Sequence, residues 1–131
     1  MSDDPIRIIS TVDAPQPAGH YSQAIVGNGT VYIAGQLPIG ADRVHRTDAS
    51  FEDQARQAIG NLLAILKAAG GDPRHLLKVT AYIVGIENWP RFNAVYAEMM
   101  GDAKPARTVV PVPELHHGYL VEVDAVGLIA V

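Results

Sequence analysis

The chain predicts a single α+β domain, a mainly antiparallel sheet with two helices on one face. Three observations carry this. Six apolar stretches have strand composition, two stretches show helical periodicity with signals at their ends, and both helices fall in the middle, giving the order β-β-β-α-β-α-β-β. Strands grouped at both ends of a chain around helices argue for an antiparallel sheet covered by helices rather than a regularly alternating parallel architecture. At 131 residues and 48% hydrophobic content, residues 1–131 form one domain, large enough to bury roughly two-thirds of the unfolded surface without staples.

The segment "IRIIS" is the first strand candidate. "SQAIVGNGTVYIAGQLP" follows as two β-rich runs joined by Gly27-Asn28-Gly29, residues that supply the positive φ a hairpin turn needs. The first helix is expected over residues 51–69. Ser50 serves as N-cap with Asp53 in capping-box position, and Gly70-Gly71 stops the helix. Phe51, Ala55, Ile59, Leu62, Leu63, Leu66 and Ala69 recur at helical spacing and make one apolar face. "DPRHLL" reads as a single turn with Asp72 as cap and Pro73 at the first helical position, and "KVTAYIV" as the next strand. The second helix is expected over 90–100, burying Phe92, Val95, Tyr96 and Met99 and ending at Gly101, with Trp89-Pro90 marking its start. A closing pair of strands, about 107–112 and 119–126, completes the chain. The sheet face away from the helices is too apolar for open water, which predicts a homo-oligomer packed through the sheets.

Composition narrows the function classes. There is no cysteine, so no disulfide, thiol nucleophile or zinc–thiolate site is possible. The formal net charge is −4 and the ten basic residues are scattered without a stripe, which disfavours nucleic acid as a partner. "MSDDPIRIIS" has acids where a signal peptide has bases, and no apolar run approaches membrane-spanning length. A cytoplasmic protein with no membrane partner is the expectation. Adjacent His116 and His117 near a strand point in opposite directions and rarely ligate one ion together, so no metal site is expected.

The closing strands hold charges that need a reason, because charge in a buried strand is costly unless paired or used. On the first, Arg107, Val109 and Pro111 share a face; on the second, Leu120, Glu122 and Asp124 do. A guanidinium fork is well suited to a small carboxylate, and a glutamate in a half-buried strand has a tunable pKa. A cross-strand Arg107–Glu122 ion pair accounts for the same residues, and spacing alone leaves the two readings open. Asp124 reads either as half of an acid–base pair with Glu122 or as a hydrogen-bond acceptor for a neighbouring chain. Asn93, Tyr96 and Met99, at helical spacing, read as core.

Nearly the whole chain resembles the reactive intermediate deaminase family (RidA, also called YjgF). The resemblance is carried by "AGHYSQAI", "IAGQLPIG", "QARQAIGNLLAILKAAG", "NAVYAEMMG", "PARTVV" and "VEVDAVG", in this order and at these separations. It implies a chorismate-mutase-like fold assembled as a trimer, with ligand clefts between subunits. It implies that Arg107 of the "PAR" motif binds a substrate carboxylate, that Glu122 positions water, that Tyr21 is the cleft tyrosine, and that the backbone at Gly35 approaches the ligand. The implied activity is hydrolysis of enamines and imines, 2-iminoacids, to 2-oxo acids and ammonia, with no cofactor. Two positions depart from the family pattern. Val109 stands where Cys, Ser or Thr is usual, with Thr108 beside it on the opposite face, and His20 replaces the proline before the tyrosine. A loop position for His20 is the expectation, with a supplementary role in proton transfer as the alternative. Two other functions stay in view: a non-catalytic sensor of small carboxylates using the same cleft, and a ribonuclease, against which the acidic charge counts.

Overall fold

The computed structural model describes residues 5–129. Its elements are β1 (Ile6–Ile9), β2 (Ala24–Gly27), β3 (Thr30–Gln36), α1 (Phe51–Ala68), β4 (Leu76–Val84), α2 (Trp89–Met100), β5 (Ala106–Val112) and β6 (Val121–Leu128). Short 3-10 turns lie at Pro73–His75, Ile86–Asn88 and His116–Gly118. The α+β class and the element order agree with the sequence reading.

Local chemistry explains the helix bounds. Ser50 Oγ accepts the Asp53 N–H at 3.1 Å, capping α1 where Glu52 and Asp53 also suit the positive end of the helix dipole. At the other end the Gly71 N–H donates to Leu66 O at 3.0 Å and the Gly70 N–H to Lys67 O at 2.9 Å. This is a Schellman closure, and it requires the positive φ that Gly70 adopts. In α2 the buried face runs Phe92, Val95, Tyr96 and Met100, while Met99 is only partly buried. The i, i+4 series from Phe92 selects Met100, which corrects the expectation for Met99.

The six strands form one sheet in the order β1-β2-β3-β6-β4-β5, antiparallel except for the parallel pair β4–β5. The last two strands are therefore not neighbours. α2 carries the chain from β4 to a parallel β5 at the sheet edge, and the loop before β6 crosses back so that β6 pairs between β3 and β4. One sheet face, with Val31, Ile33, Val79, Ala81, Ile83, Val121, Val123 and Ala125, is buried beneath α1 and α2. From α1 this layer receives Ile59, Leu62, Ile65 and Leu66, each contributing about 1.5–3 kcal/mol by burial. Among the described residues no element covers the opposite face. Register carries the row Ile8, Ile25, Tyr32 and Val126 across it, and Ile8 and Tyr32 are 66% and 54% exposed. Among the described residues no helix is long and apolar enough to cross a membrane.

Candidate functional site

Strand register decides which charged side chains can meet. Tyr82 lies directly across from Glu122, and Thr80 across from Asp124. These alternate with the buried Ala81 and Val123, so Glu122 and Asp124 project from the uncovered face. Val79 lies beside Arg107 and Ala81 beside Val109 in the parallel ladder, so both β5 residues project from the helix-covered face. Thr108 lies on the other side, where it accepts a hydrogen bond from Lys78 Nζ at 2.7 Å. The cross-strand Arg107–Glu122 pair is thereby excluded: β4 separates the strands and the two side chains leave opposite faces.

Glu122 sits at the base of a cavity of about 490 Å³ that also takes in Tyr21, Gly35, Gln36, Leu37 and Ile39. Its carboxyl is held above the usual carboxylate range, first by burial and then by the nearby Asp124, with His116 opposing. Asp124 is likewise raised by burial, partly offset by a hydrogen bond that the Tyr82 hydroxyl donates to it. Tyr82 in turn is pushed up mainly by the Asp124 charge. Asp124 is thus engaged by Tyr82 within its own chain, while Glu122 is the raised carboxyl that lines the cavity.

Gly35 approaches Glu122 through a β-bulge. The β3–β6 register slips between Ile33 and Gln36, so an extra residue lets β3 bend toward the cavity. A Cβ at Gly35 would lie 2.8 Å from Glu122 Oε2 and 3.2 Å from its carboxyl carbon. The space is filled by the carboxylate, a reason for glycine here that sequence alone did not supply.

Buried amides fix the cavity walls. Gln23, 2% exposed, accepts the Thr11 N–H at 2.7 Å and donates to Thr11 O at 3.1 Å and Pro15 O at 3.0 Å. Asn61 of α1 donates to Leu37 O at 3.1 Å and Ile39 O at 2.8 Å. Gln54 donates to Ala49 O at 3.1 Å and accepts the Leu120 N–H at 2.8 Å. Each satisfies main-chain groups of an irregular segment that would otherwise lose water without compensation.

On the opposite face the Arg107 guanidinium carbon lies 4.9 Å from the Tyr96 ring centroid and 5.8 Å from that of Phe92. Among the described residues it has no carboxylate partner. Stacking on α2 orients the fork without consuming its donors. Of the residues singled out from sequence, the structure brings Tyr21, Gly35 and Glu122 into one cavity and places Arg107 and Val109 together elsewhere. His20 is exposed and does not line the cavity. Arg43 and His45 were missed, and His116 and His117 were weighed only as metal ligands; all four line the cavity. The "HHG" run held a signal, because a 3-10 turn with His117 at φ 61° replaces the extended geometry that would have splayed the two rings.

A two-layer α+β domain with a carboxylate-bearing cavity on the sheet face away from its helices is the class that the fold and site define. Comparison with known proteins makes the class specific. A family profile described as Endoribonuclease L-PSP matches residues 11–129. A RutC family protein of Pyrococcus horikoshii is 40% identical over 92% of this chain and 96% of its own. A 2-iminobutanoate/2-iminopropanoate deaminase of Dermatophagoides farinae is 36% identical over 95% of this chain and 98% of its own. The crystal structure of a Rid family protein of unknown function from Yersinia pestis superposes with a TM-score of 0.90 at 36% identity, covering 95% of this chain and 99% of that one. The chain belongs to the RidA/YjgF family.

Proposed function

We propose that this protein hydrolyses small reactive 2-iminoacids and their enamine tautomers to 2-oxo acids and ammonia, in a cleft that two copies of the chain complete. The observation that carries the reading is the division of the charged pair. Glu122 waits in a cavity with an elevated carboxyl, and Arg107 stands on the opposite face with no carboxylate partner among the described residues. Each is half of a site for a carboxylate-bearing electrophile, and one small molecule reaches both only if a second copy brings its Arg107 to this cavity. The family's trimeric assembly, and the exposed Ile8 and Tyr32 on the uncovered face, support such an arrangement. The deaminase named among the relatives supports the reaction type.

In this reading Arg107 clamps the substrate carboxylate by a bidentate hydrogen bond. Water held by Glu122 adds to the C=N carbon; the C–O bond forms as the C=N π electrons move to nitrogen. Glu122 takes one proton from the water and delivers it to nitrogen, giving the tetrahedral carbinolamine; it then takes the hydroxyl proton and passes it to the same nitrogen, so that the C–N bond breaks and ammonia leaves as the C=O forms. Burial keeps the Glu122 pKa nearer the working pH, where a carboxyl exchanges protons in both directions most effectively. The imine is already unstable, so positioning and proton transfer suffice.

The test is ammonia release from freshly generated 2-iminobutyrate, using wild type, Arg107→Ala, Glu122→Gln, and the two variants co-assembled. Each variant alone should be inactive. Random mixing in a trimer leaves about one cleft in four with both native groups, so partial activity should return. Lack of complementation would sink the shared cleft. Wild type at the buffer rate, with a 2-oxo acid still bound, would make the protein a sensor.

A further inference from the structure

The basic part of the cavity lining has a chemistry of its own. Two loops build it: residues 40–46 contribute Arg43 and His45, and residues 115–119 contribute His116 and His117. Among the described residues lining the cavity Glu122 is the one carboxylate, against one guanidinium and three imidazoles. The neighbouring Arg46 is neutralised by Asp42 at 2.8 Å, whereas Arg43 has no carboxylate partner among the described residues. The imidazoles converge: His116 and His117 have centroids 3.8 Å apart, and His45 and His117 4.4 Å. These rings are exposed, so they are not satisfied core histidines.

The wall is also held in place at a cost. Outside the β2–β3 turn, the described non-glycine residues with positive φ are Arg43 at 64° and His117 at 61°, and both line this cavity. Glycine would adopt that backbone more easily, so side chains kept there are being aimed. Tyr119 anchors the arrangement from below. Fully buried, its hydroxyl oxygen accepts the Arg46 N–H at 3.3 Å and lies 2.8 Å from His45 Nδ1.

We propose that Arg43, with His45, His116 and His117, forms a subsite for a second acidic group, making this cleft selective for 2-imino dicarboxylic acids over 2-iminoacids with apolar side chains. The reaction part rests on the deaminase reading above; the binding part does not. With the reacting end at Glu122, the same cavity presents this basic cluster to a substrate side chain, and its volume of about 490 Å³ leaves room beyond the smallest 2-iminoacids. A distal carboxylate there would meet the Arg43 guanidinium, which has no carboxylate partner among the described residues, and imidazole N–H donors.

Two measurements decide it. Turnover is compared for 2-iminoglutarate and 2-iminobutyrate, each generated in place by an amino-acid oxidase, and calorimetry compares binding of 2-oxoglutarate and 2-oxobutyrate. The variants are Arg43→Gly, which removes the charge while easing the backbone, Arg43→Lys and His116→Gln. The dicarboxylic ligand is expected to be preferred about tenfold or more in affinity, the scale of one charge-assisted hydrogen bond. Arg43→Gly should bring that ratio toward unity, His116→Gln should lower it, and Arg43→Lys should retain part. Equal wild-type affinities, or a ratio unmoved in Arg43→Gly and His116→Gln, would overturn the subsite. Turnover of both imines with no binding preference keeps the deaminase and removes the subsite. A 2-oxoglutarate preference lost in Arg43→Gly, with neither imine hydrolysed, keeps the subsite and removes the deaminase.

Discussion

Replacing Gly35 by alanine tests how closely function depends on the position of one carboxylate. The added methyl would lie 2.8 Å from Glu122 Oε2, where ordinary contacts begin at 3.4 Å, so the carboxylate must retreat by about 0.6 Å. Gly35 is not among the glycines with positive φ, so alanine meets no backbone strain there. The clash is with the far end of a flexible side chain, which yields while the bulge stays. A misplacement near 1 Å costs about 10²-fold in rate, so kcat/KM for imine hydrolysis should fall about 10- to 100-fold, or about 1.4–2.7 kcal/mol in the barrier. Ammonia release gives the rate and scanning calorimetry the Tm, which should move by no more than a few degrees. Combining Gly35→Ala with Glu122→Asp should be non-additive, since a shorter acid avoids the methyl. Full activity in Gly35→Ala would refute the claim that Glu122 must occupy this spot. A collapse of Tm would show that glycine serves the bulge instead.

Two further outcomes follow from buried polar groups. Glu122→Gln should abolish turnover yet raise Tm. The folded-state pKa of Glu122 is raised by burial, so its ionised form costs stability above the unfolded-state value, and the cost disappears as pH falls toward that value. The Tm gap between variant and wild type should therefore be widest at neutral pH and close toward pH ~4, the range of an unperturbed carboxyl; a constant gap would contradict the assignment. Tyr96 Oη is buried with no hydrogen-bond partner among the described residues. Tyr96→Phe should leave the fold intact and raise stability by about 1 kcal/mol in urea unfolding, whereas a loss of stability would mean that the assembled protein gives the hydroxyl a partner.

Side-chain parity within a strand was legible. Arg107 and Val109 do share a face, as do Glu122 and Asp124. Parity does not say which face of the sheet each set takes, because that depends on strand order. The sequence shows β5 and β6 as consecutive, and nothing local reveals that β4 lies between them. The helix ends were readable because capping is local: Ser50, Gly70 and Gly71 act on atoms within five residues of themselves. The basic wall was not, since Arg43 and His116 are brought together by two loops far apart in the chain. Gly35 was singled out for contact with ligand, but its contact with Glu122 arises from a bulge that no residue pattern announces.

The side-chain amides of α1 have a consequence for how such a protein can change. Asn61 and Gln54 grip Leu37 O, Ile39 O, Ala49 O and the Leu120 N–H. These are main-chain atoms that any residue but proline can offer in full. The helix therefore anchors the routes of the two wall-forming loops while remaining indifferent to the side chains they display. On the proposed subsite, substitutions at 40–47 and 113–118 should change what the basic lining prefers while β6 continues to present the same glutamate. Loop exchange between relatives at these boundaries should transplant substrate preference as a unit, a division of labour in which recognition drifts and the reactive group stays put.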